Sequence, residues 1–236
     1  MQSYIFDIDG TLVDTKKNGK KAFIESFEIL HKLKLNEDLF GLSFLGGVDY
    51  IIYRRLCNYL EIREDKIELF IELYASVLED KYSPEKVRWS FPGSLIKLMD
   101  LLKNKSHLLS VGTGNFQKTA DIKLKFAGIL DYFSFIGGCH REETRTEIIG
   151  KTVQYSLLQK IAPQDIFYIG DAPADRSCAH ELALSFIGIG SHFSGEAGKT
   201  REYKKEIFFP TLDHFYEFLV DSFNKQTTGN KKHELV

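Results

Sequence analysis

The stretch Phe6-Asp7-Ile8-Asp9-Gly10-Thr11 lies close to the start of the chain, directly after the apolar residues Tyr4 and Ile5. Side chains two residues apart lie on the same face of a strand, so we expect Asp7 and Asp9 side by side if the strand extends that far. Two adjacent carboxylates repel each other unless a cation or a shared proton relieves the repulsion. The pair is therefore a candidate metal site or acid/base dyad, and the alternative is a pair of aspartates that cap a turn.

Short apolar runs of the kind that form buried parallel strands recur along the chain, and helical patterns separate most of them. This alternation predicts an α/β fold with a parallel sheet that is covered by helices on both faces. The predicted strands are Tyr4–Phe6, Leu108–Val111, Tyr132–Ile136, Ile166–Ile169, Phe186–Ile189 and an edge strand at Ile207–Phe209. Three helices are predicted: one that starts near Ser94, one over Phe116–Phe126 and one over Glu147–Ile161.

The region between Asp14 and Trp89 has a different pattern, because its apolar residues recur at helical spacing and no strand pattern intervenes. We interpret it as an all-helical insert. The predicted organisation is a core domain of residues 1–14 and 90–225, a helical cap of residues 15–89, and a loose tail of residues 226–236.

The composition of the 236-residue chain, with 43% hydrophobic residues, indicates a globular protein, and its formal net charge is −2. This charge provides no overall basic field, so nucleic acid is not an expected partner. No segment reaches the ~20 apolar residues of a membrane span, and the N-terminus lacks a signal-peptide pattern, so we expect a cytoplasmic protein without membrane association. The spacing of Cys57, Cys139 and Cys178 indicates neither disulfides nor a zinc site.

Polar residues follow three of the predicted strands. Asp7 and Asp9 follow the first strand, Gly112-Thr113-Gly114-Asn115 the second, and Gly170-Asp171 the fourth. Because the carboxyl ends of parallel strands meet at one edge of a sheet, we expect these residues to converge there.

Thr113 offers a hydroxyl, and the flanking glycines leave backbone N–H groups open to an anion at a helix start. Thr113, Gly114 and Asn115 are therefore candidate phosphate-binding residues, and the alternative is an ordinary strand-to-helix turn. The stretch is not a dinucleotide fingerprint, because Gln117 replaces the third glycine of that motif.

Asp171 and Asp175 bring two further carboxylates to the end of the fourth predicted strand. Hard oxygen ligands of this kind suit Mg²⁺, which keeps several of its waters when proteins bind it. The alternative is that one of these aspartates caps the following helix. A second acidic pair at the same sheet edge favours metal binding.

Together these motifs resemble those of the haloacid dehalogenase superfamily, most of whose members are phosphatases. The first motif of that superfamily is met by Asp7-Ile8-Asp9-Gly10-Thr11-Leu12-Val13, the second by Thr113, and the fourth by Gly170-Asp171 together with Asp175. Their order, spacing and strand context agree over nearly the whole chain.

The resemblance implies a Rossmann-like core and an aspartyl-phosphate intermediate on Asp7, with Asp9 as general acid and base. It implies that Mg²⁺ is held by Asp7, the backbone carbonyl of Asp9 and Asp171, with Asp175 beside the ion or reached through water. It also implies that Thr113 hydrogen-bonds to the transferred phosphoryl group.

The third motif departs from the family pattern, which places a lysine at the start of the helix before the fourth strand. This chain has Arg145-Thr146-Glu147-Ile148-Ile149 there, and Lys151 follows. We favour Arg145 as the phosphate-binding cation, because a planar guanidinium binds phosphate through two parallel hydrogen bonds. Lys151 is the second candidate, and either residue could instead be a solvated surface cation.

The helical insert is similar to the small cap that this superfamily inserts after its first motif. Its stretch Gly46-Gly47-Val48-Asp49 resembles a cap loop that has a basic residue and a threonine where this chain has Gly47 and Val48, so the specificity of those relatives does not carry over. The expected function is a Mg²⁺-dependent, phosphoglycolate phosphatase-like hydrolase of a small phosphorylated metabolite. The alternatives are a phosphomutase acting on a sugar phosphate and a catalytically idle phosphate-binding regulatory protein. The substrate, the pathway and the oligomeric state stay open.

Overall fold

Six parallel strands form one sheet in the computed structural model of this chain, which describes residues 1–35, 44, 46–196 and 206–228. The strands are β1 (Ser3–Phe6), β2 (Leu108–Phe116), β3 (Phe135–Cys139), β4 (Ile166–Gly170), β5 (Ser185–Ile189) and β6 (Glu206–Phe209). Their order across the sheet is β3-β2-β1-β4-β5-β6, and all neighbours pair in parallel. The predicted α/β fold is confirmed.

Eight α-helices lie within the described residues, and they form two groups. Three of them follow one another after β1: α1 (Asn18–His31), α2 (Asp49–Tyr59) and α3 (Ile67–Tyr82). The others alternate with the later strands: α4 (Leu95–Asn104), α5 (Gln117–Phe126), α6 (Arg145–Leu158), α7 (Pro173–Glu181) and α8 (Leu212–Thr228). The first group lies in the segment that we predict to be a cap.

Apolar side chains cover both faces of the sheet. Along β1, Tyr4 and Phe6 belong to one buried cluster and Ile5 belongs to another, because successive side chains of a strand point to opposite faces. The larger cluster continues into the first helical group and includes Phe23 of α1 and Phe70 of α3. The first three helices and one face of the sheet therefore share a continuous core.

The register of the sheet aligns the ends of its central strands. Phe6, the last residue of β1, pairs with Val111 of β2 and with Ile169 of β4. The residues that follow these positions therefore meet at one edge of the sheet. In open parallel sheets with this strand order, ligands bind at that edge, where neighbouring connections leave in opposite directions.

Two strand boundaries differ from the predictions. β3 begins at Phe135, because a 3₁₀ turn occupies Leu130–Tyr132, where we expect the strand to start. β2 continues to Phe116, so the Gly112–Asn115 stretch lies within the strand and not after it. The pairing of β2 with β3 is irregular over this last part of the strand.

α6 begins at Arg145, two residues before the predicted start, and ends at Leu158. The Thr144 hydroxyl accepts the N–H of Glu147 at 3.2 Å, and the Glu147 carboxylate accepts the N–H of Thr144 at 2.7 Å. This reciprocal capping box satisfies two backbone donors and sets the first turn of the helix. Arg145 is therefore the first helical residue.

The chain passes between the sheet and the first helical group twice, near Asp14 and near Ser90. These two residues form an antiparallel bridge in which the N–H of each donates to the carbonyl of the other at 2.9 Å. The two passages are therefore hydrogen-bonded to each other. The predicted borders of the cap fall at this bridge and stay a prediction.

Parts of three predictions lie outside the described residues: residues 36–43 and 45 of the predicted cap, residues 197–205 of the predicted core domain, and residues 229–236 of the predicted tail. α8 extends to Thr228, so the predicted tail begins as helix at residues 226–228. Within the described part of the chain, we find no helix with the length and apolar character of a membrane span.

Candidate active site

Asp7 and Asp9 lie just beyond the end of β1, where the chain turns back on itself. The N–H of Asp7 still donates to the carbonyl of Ile169 at 2.9 Å, and the N–H groups of Leu12 and Val13 then converge on the carbonyl of Ile8. β1 ends at Phe6, so it does not extend to Asp9. This turn, and not the alternation of a strand, therefore sets the position of Asp9.

Gly10 allows this turn to lie directly against Asp171. Its φ of 86° is in the left-handed region, and a Cβ at this position would lie 2.2 Å from Oδ2 of Asp171. Any side chain would both strain the backbone and displace the carboxylate. The glycine of the first motif therefore brings the chain after β1 against the acidic residue that follows β4.

Three buried carboxylates meet at this edge of the sheet. Asp7, Asp171 and Asp175 each bring one oxygen within 4.8 Å of the others, and they are 5%, 9% and 0% exposed. Burial raises the pKa of Asp7 to about 7, with Arg145 opposing the rise and the neighbouring carboxylates adding to it. Burial, and then the charge of Asp7, raises the pKa of Asp171 to about 8. Carboxylates perturbed in this way are typical of a site that binds a cation.

Arg145 extends from the first turn of α6 into this cluster. Its Nη2 lies 3.0 Å from Oδ1 of Asp7 and 2.5 Å from Oδ1 of Asp175, and it donates to the hydroxyl of Tyr168 at 3.2 Å. The Nε of Arg145 is buried and has no hydrogen-bond partner among the described residues. The guanidinium is thus held between two carboxylates and keeps one donor free.

The donor set of the cluster fits Mg²⁺, which prefers carboxylate oxygens. Among the described residues, we find no hydrogen-bond donor to the carboxylate of Asp171. Both oxygens of Asp175 are in use, because Oδ1 accepts from Arg145 and Tyr168 and Oδ2 accepts the N–H of Ala172 at 3.0 Å. Asp7 and Asp171 are therefore the candidates for direct coordination, and Asp175 suits an outer position.

Of the predicted phosphate-binding residues of β2, Thr113 lies next to Asp7, Asn115 contacts Asp9 and Gly114 contacts Gly47. The hydroxyl of Thr113 is buried, lies close enough to the Asp7 carboxylate to lower its pKa, and accepts Nδ2 of Asn115 at 2.8 Å. A Cβ on Gly114 would lie 2.1 Å from the carbonyl oxygen of Gly47, so the backbone at Gly47 lies directly against Gly114. The same carbonyl accepts Nη1 of Arg145 at 3.4 Å.

Lys151, the second candidate for the third motif, is not brought to the cluster. Its ammonium forms an ion pair with Glu143, and half of its side chain is exposed. Six positions separate it from Arg145, which places it beyond the first turn of α6. The structure therefore places Arg145, and not Lys151, beside the acidic residues.

Two residues that contact the site were not predicted from the sequence. Tyr168 donates its hydroxyl to Asp175 at 2.7 Å, and nothing in the pattern of β4 distinguishes it from a core residue. Lys123 on α5 lies 2.6 Å from Oδ2 of Asp9. A signal for Lys123 exists, because it follows the buried residues Thr119 and Ala120 of α5 at helical spacing.

Comparisons with known proteins identify the family to which this chain belongs. The model of the haloacid dehalogenase-like hydrolase family matches residues 4–189. The probable phosphatase IndB of Dickeya dadantii (strain 3937) is 27% identical over 138 residues, which cover 57% of this chain and 57% of IndB. The match thus spans little more than half of that relative.

Two solved structures have a similar fold. A predicted phosphatase from Clostridium acetobutylicum has a TM-score of 0.67 and 20% identity, and the match covers 93% of this chain and 98% of that protein. A predicted phosphoglycolate phosphatase from Haemophilus somnus 129PT has a TM-score of 0.65 and 17% identity, over 94% and 98% of the two chains. Since the family model spans most of the chain, the protein belongs to the haloacid dehalogenase-like hydrolase family.

Proposed function

We propose that this protein is a Mg²⁺-dependent phosphatase that hydrolyses a small phosphorylated metabolite through an aspartyl-phosphate on Asp7. The observation that carries the proposal is the buried cluster of Asp7, Asp171 and Asp175 with the Arg145 guanidinium between two of its members. Membership of the haloacid dehalogenase-like family and the likeness to IndB, a probable phosphatase, support it.

In the first proposed step, a carboxylate oxygen of Asp7 attacks the phosphorus atom, and the bond to the leaving oxygen breaks. Asp9 donates a proton to that oxygen, so the alcohol departs neutral. In this proposal, the Arg145 guanidinium and the Thr113 hydroxyl hydrogen-bond the phosphoryl oxygens. Mg²⁺ bound by Asp7 and Asp171 supplies positive charge that offsets the charge on the phosphoryl group.

In the second proposed step, a water molecule attacks the phosphorus of the aspartyl-phosphate. Asp9, which is now ionised, takes a proton from this water, and the bond between phosphorus and Asp7 breaks. Inorganic phosphate leaves, and both carboxyl groups return to their starting states. One residue thus acts as acid and then as base, which requires that its carboxyl group stay in a fixed position.

A small substrate is favoured because the loop at Gly46 and Gly47 lies directly against the cluster. A Cβ on Gly46 would lie 2.7 Å from the Cβ of Ala174, and the carbonyl of Gly47 contacts both Gly114 and Arg145. We expect these contacts to limit the size of the leaving group. Phosphoglycolate and small sugar phosphates are therefore the first substrates to test.

The test compares the wild-type protein with an Asp7→Asn variant on a panel of phosphate esters, with Mg²⁺ or with EDTA. We expect phosphate release by the wild type only with Mg²⁺, and none by the variant, because an amide oxygen is a poor nucleophile toward phosphorus. The melting temperature of the variant shows whether it is folded. Phosphate release near the wild-type rate by folded Asp7→Asn protein would exclude the mechanism, and formation of an isomeric sugar phosphate instead of free phosphate would indicate a mutase.

A further inference from the structure

Lys123 is a buried lysine that has no role in the two proposed reaction steps. It lies on α5, and its side chain is 3% exposed. Burying an ammonium group is costly unless it is paired and hydrogen-bonded, so a lysine in this position requires partners. Its partners are residues of the candidate active site.

The ammonium group of Lys123 contacts Oδ2 of Asp9 at 2.6 Å and Oδ1 of Asn115 at 2.5 Å. Nδ2 of Asn115 also donates to the same oxygen of Asp9, at 2.8 Å. The three side chains thus form a closed triangle in which two donors hold one carboxylate oxygen. Two donors on a single oxygen fix both the position and the plane of a carboxylate.

The other carboxylate oxygen of Asp9, Oδ1, has no hydrogen-bond partner among the described residues. The side chain of Asp9 is 39% exposed, although the lysine that holds it is buried. One oxygen is therefore anchored on the protein, and the other is available to a ligand. This is the arrangement that a proton-transferring carboxyl group requires.

The predicted cap encloses Lys123 from the other side. A Cβ on Gly19 of α1 would lie 3.3 Å from its ammonium nitrogen. Asp49, the first residue of α2, is buried nearby; its Oδ2 accepts the N–H of Phe116 at 3.0 Å, and its charge interacts with that of Lys123. Elements of both the sheet domain and the cap thus hold the ammonium group in place.

We propose that Lys123 is a positioning residue for proton transfer, which holds Asp9 through Oδ2 so that Oδ1 faces the leaving oxygen and, later, the attacking water. This inference rests on the proposed phosphatase function. The effect of Lys123 should therefore be largest for substrates whose leaving oxygen must be protonated.

The test measures kcat/KM of a Lys123→Met variant on two substrates with different leaving groups. An alkyl phosphate has a poor leaving group and needs the proton, whereas 2,4-dinitrophenyl phosphate releases a stable anion without one. A positioned general acid contributes ~100-fold or more to rate. We expect Lys123→Met to lose at least ~30-fold on the alkyl phosphate and less than ~3-fold on the dinitrophenyl ester.

Two controls separate positioning from a structural role. Lys125→Met changes an exposed lysine of the same helix and should leave both rates unchanged. In an Asp9→Asn background, Lys123→Met should cost almost nothing further, because a residue that acts through Asp9 has no effect once that carboxylate is gone. An Asn115→Ala variant removes the second donor to Oδ2, so it should show the same dependence on the leaving group and carries the test if Lys123→Met does not fold.

Equal losses on both substrates, or an additive loss in the Asp9→Asn background, would overturn the positioning role while leaving the phosphatase proposal intact. An unchanged rate of Lys123→Met on the alkyl phosphate would also overturn it. Failure of the proposed function itself would appear differently, as a wild-type protein that releases no phosphate from either ester.

Discussion

Replacing Arg145 by methionine should destabilise the protein more than any ordinary surface substitution. The guanidinium lies 3.0 Å from Asp7 and 2.5 Å from Asp175, and these carboxylates are 5% and 0% exposed. Methionine keeps much of the apolar length of arginine but carries no charge. The variant therefore leaves two buried carboxylates without the cation that lies between them.

The magnitude follows from this burial. Removing one partner of a buried ion pair costs about 3–5 kcal/mol, because the remaining charge is neither solvated nor paired. In a chain of this size, 1 kcal/mol lowers the melting temperature by about 2–4 °C, so we expect a decrease of about 6–20 °C. Bound Mg²⁺ acts on the same carboxylates and should restore part of the lost stability.

The assay is thermal unfolding followed by circular dichroism near pH 8, with EDTA or with saturating Mg²⁺, together with measurement of phosphate release. Arg141→Met is the matched control, because Arg141 is exposed and its ion pair with Glu68 at 3.3 Å contributes little. We also expect Arg145→Met to lose at least ~100-fold in kcat/KM, since a donor to the phosphoryl group is missing. A variant with the melting temperature and activity of the wild type would refute the role assigned to Arg145.

Two further predictions concern charge. Burial raises the pKa of Asp49 from its ordinary value of 3.8 to about 6, so the native protein binds this proton more tightly than the unfolded chain does. The free energy of unfolding of the wild type, relative to that of an Asp49→Asn variant, should therefore rise by up to about 3 kcal/mol as the pH falls from 8 to 4. Denaturant unfolding of both proteins across this pH range measures the rise, and a free-energy difference between them that is independent of pH would contradict the prediction. Mg²⁺ should raise the melting temperature of the wild type but not that of an Asp171→Asn variant, and an equal shift in both proteins would place the ion elsewhere. The shift of the wild type should be smaller near pH 6 than near pH 8, because Asp7 and Asp171, with pKa values of about 7 and 8, must lose their protons to bind the ion.

The pattern of the sequence was sufficient to predict the sheet, because buried parallel strands are continuous apolar runs that helical periodicity separates. The residues of the acidic cluster could be predicted for the same reason, since the carboxyl ends of β1 and β4 meet whatever the connecting segments do. The start of β3 could not be predicted, because the aromatic residues Tyr132 and Phe133 that precede it are also typical of strands.

Contacts between side chains that are distant in the sequence could not be predicted from its pattern. Lys123 and Asp9 are 114 positions apart, and the helical spacing of α5 shows only that Lys123 lies on a buried face. The choice between Arg145 and Lys151 likewise depends on the residue at which the helix starts, which the capping box at Thr144 sets. A start one residue earlier or later would turn each side chain of the helix by 100° about its axis. Side-chain partners of this kind follow from the folded geometry and not from periodicity.

The hydrogen-bonded bridge between Asp14 and Ser90 ties together the two passages that connect the first helical group with the sheet. Linkers that are bonded to each other can act as a single pivot, whereas independent linkers cannot. A rotation of this group about the bridge would carry the Gly47 carbonyl away from Arg145. A covalent cross-link placed across the pivot would preserve that rotation, whereas a cross-link at the rim, far from the pivot, would abolish it.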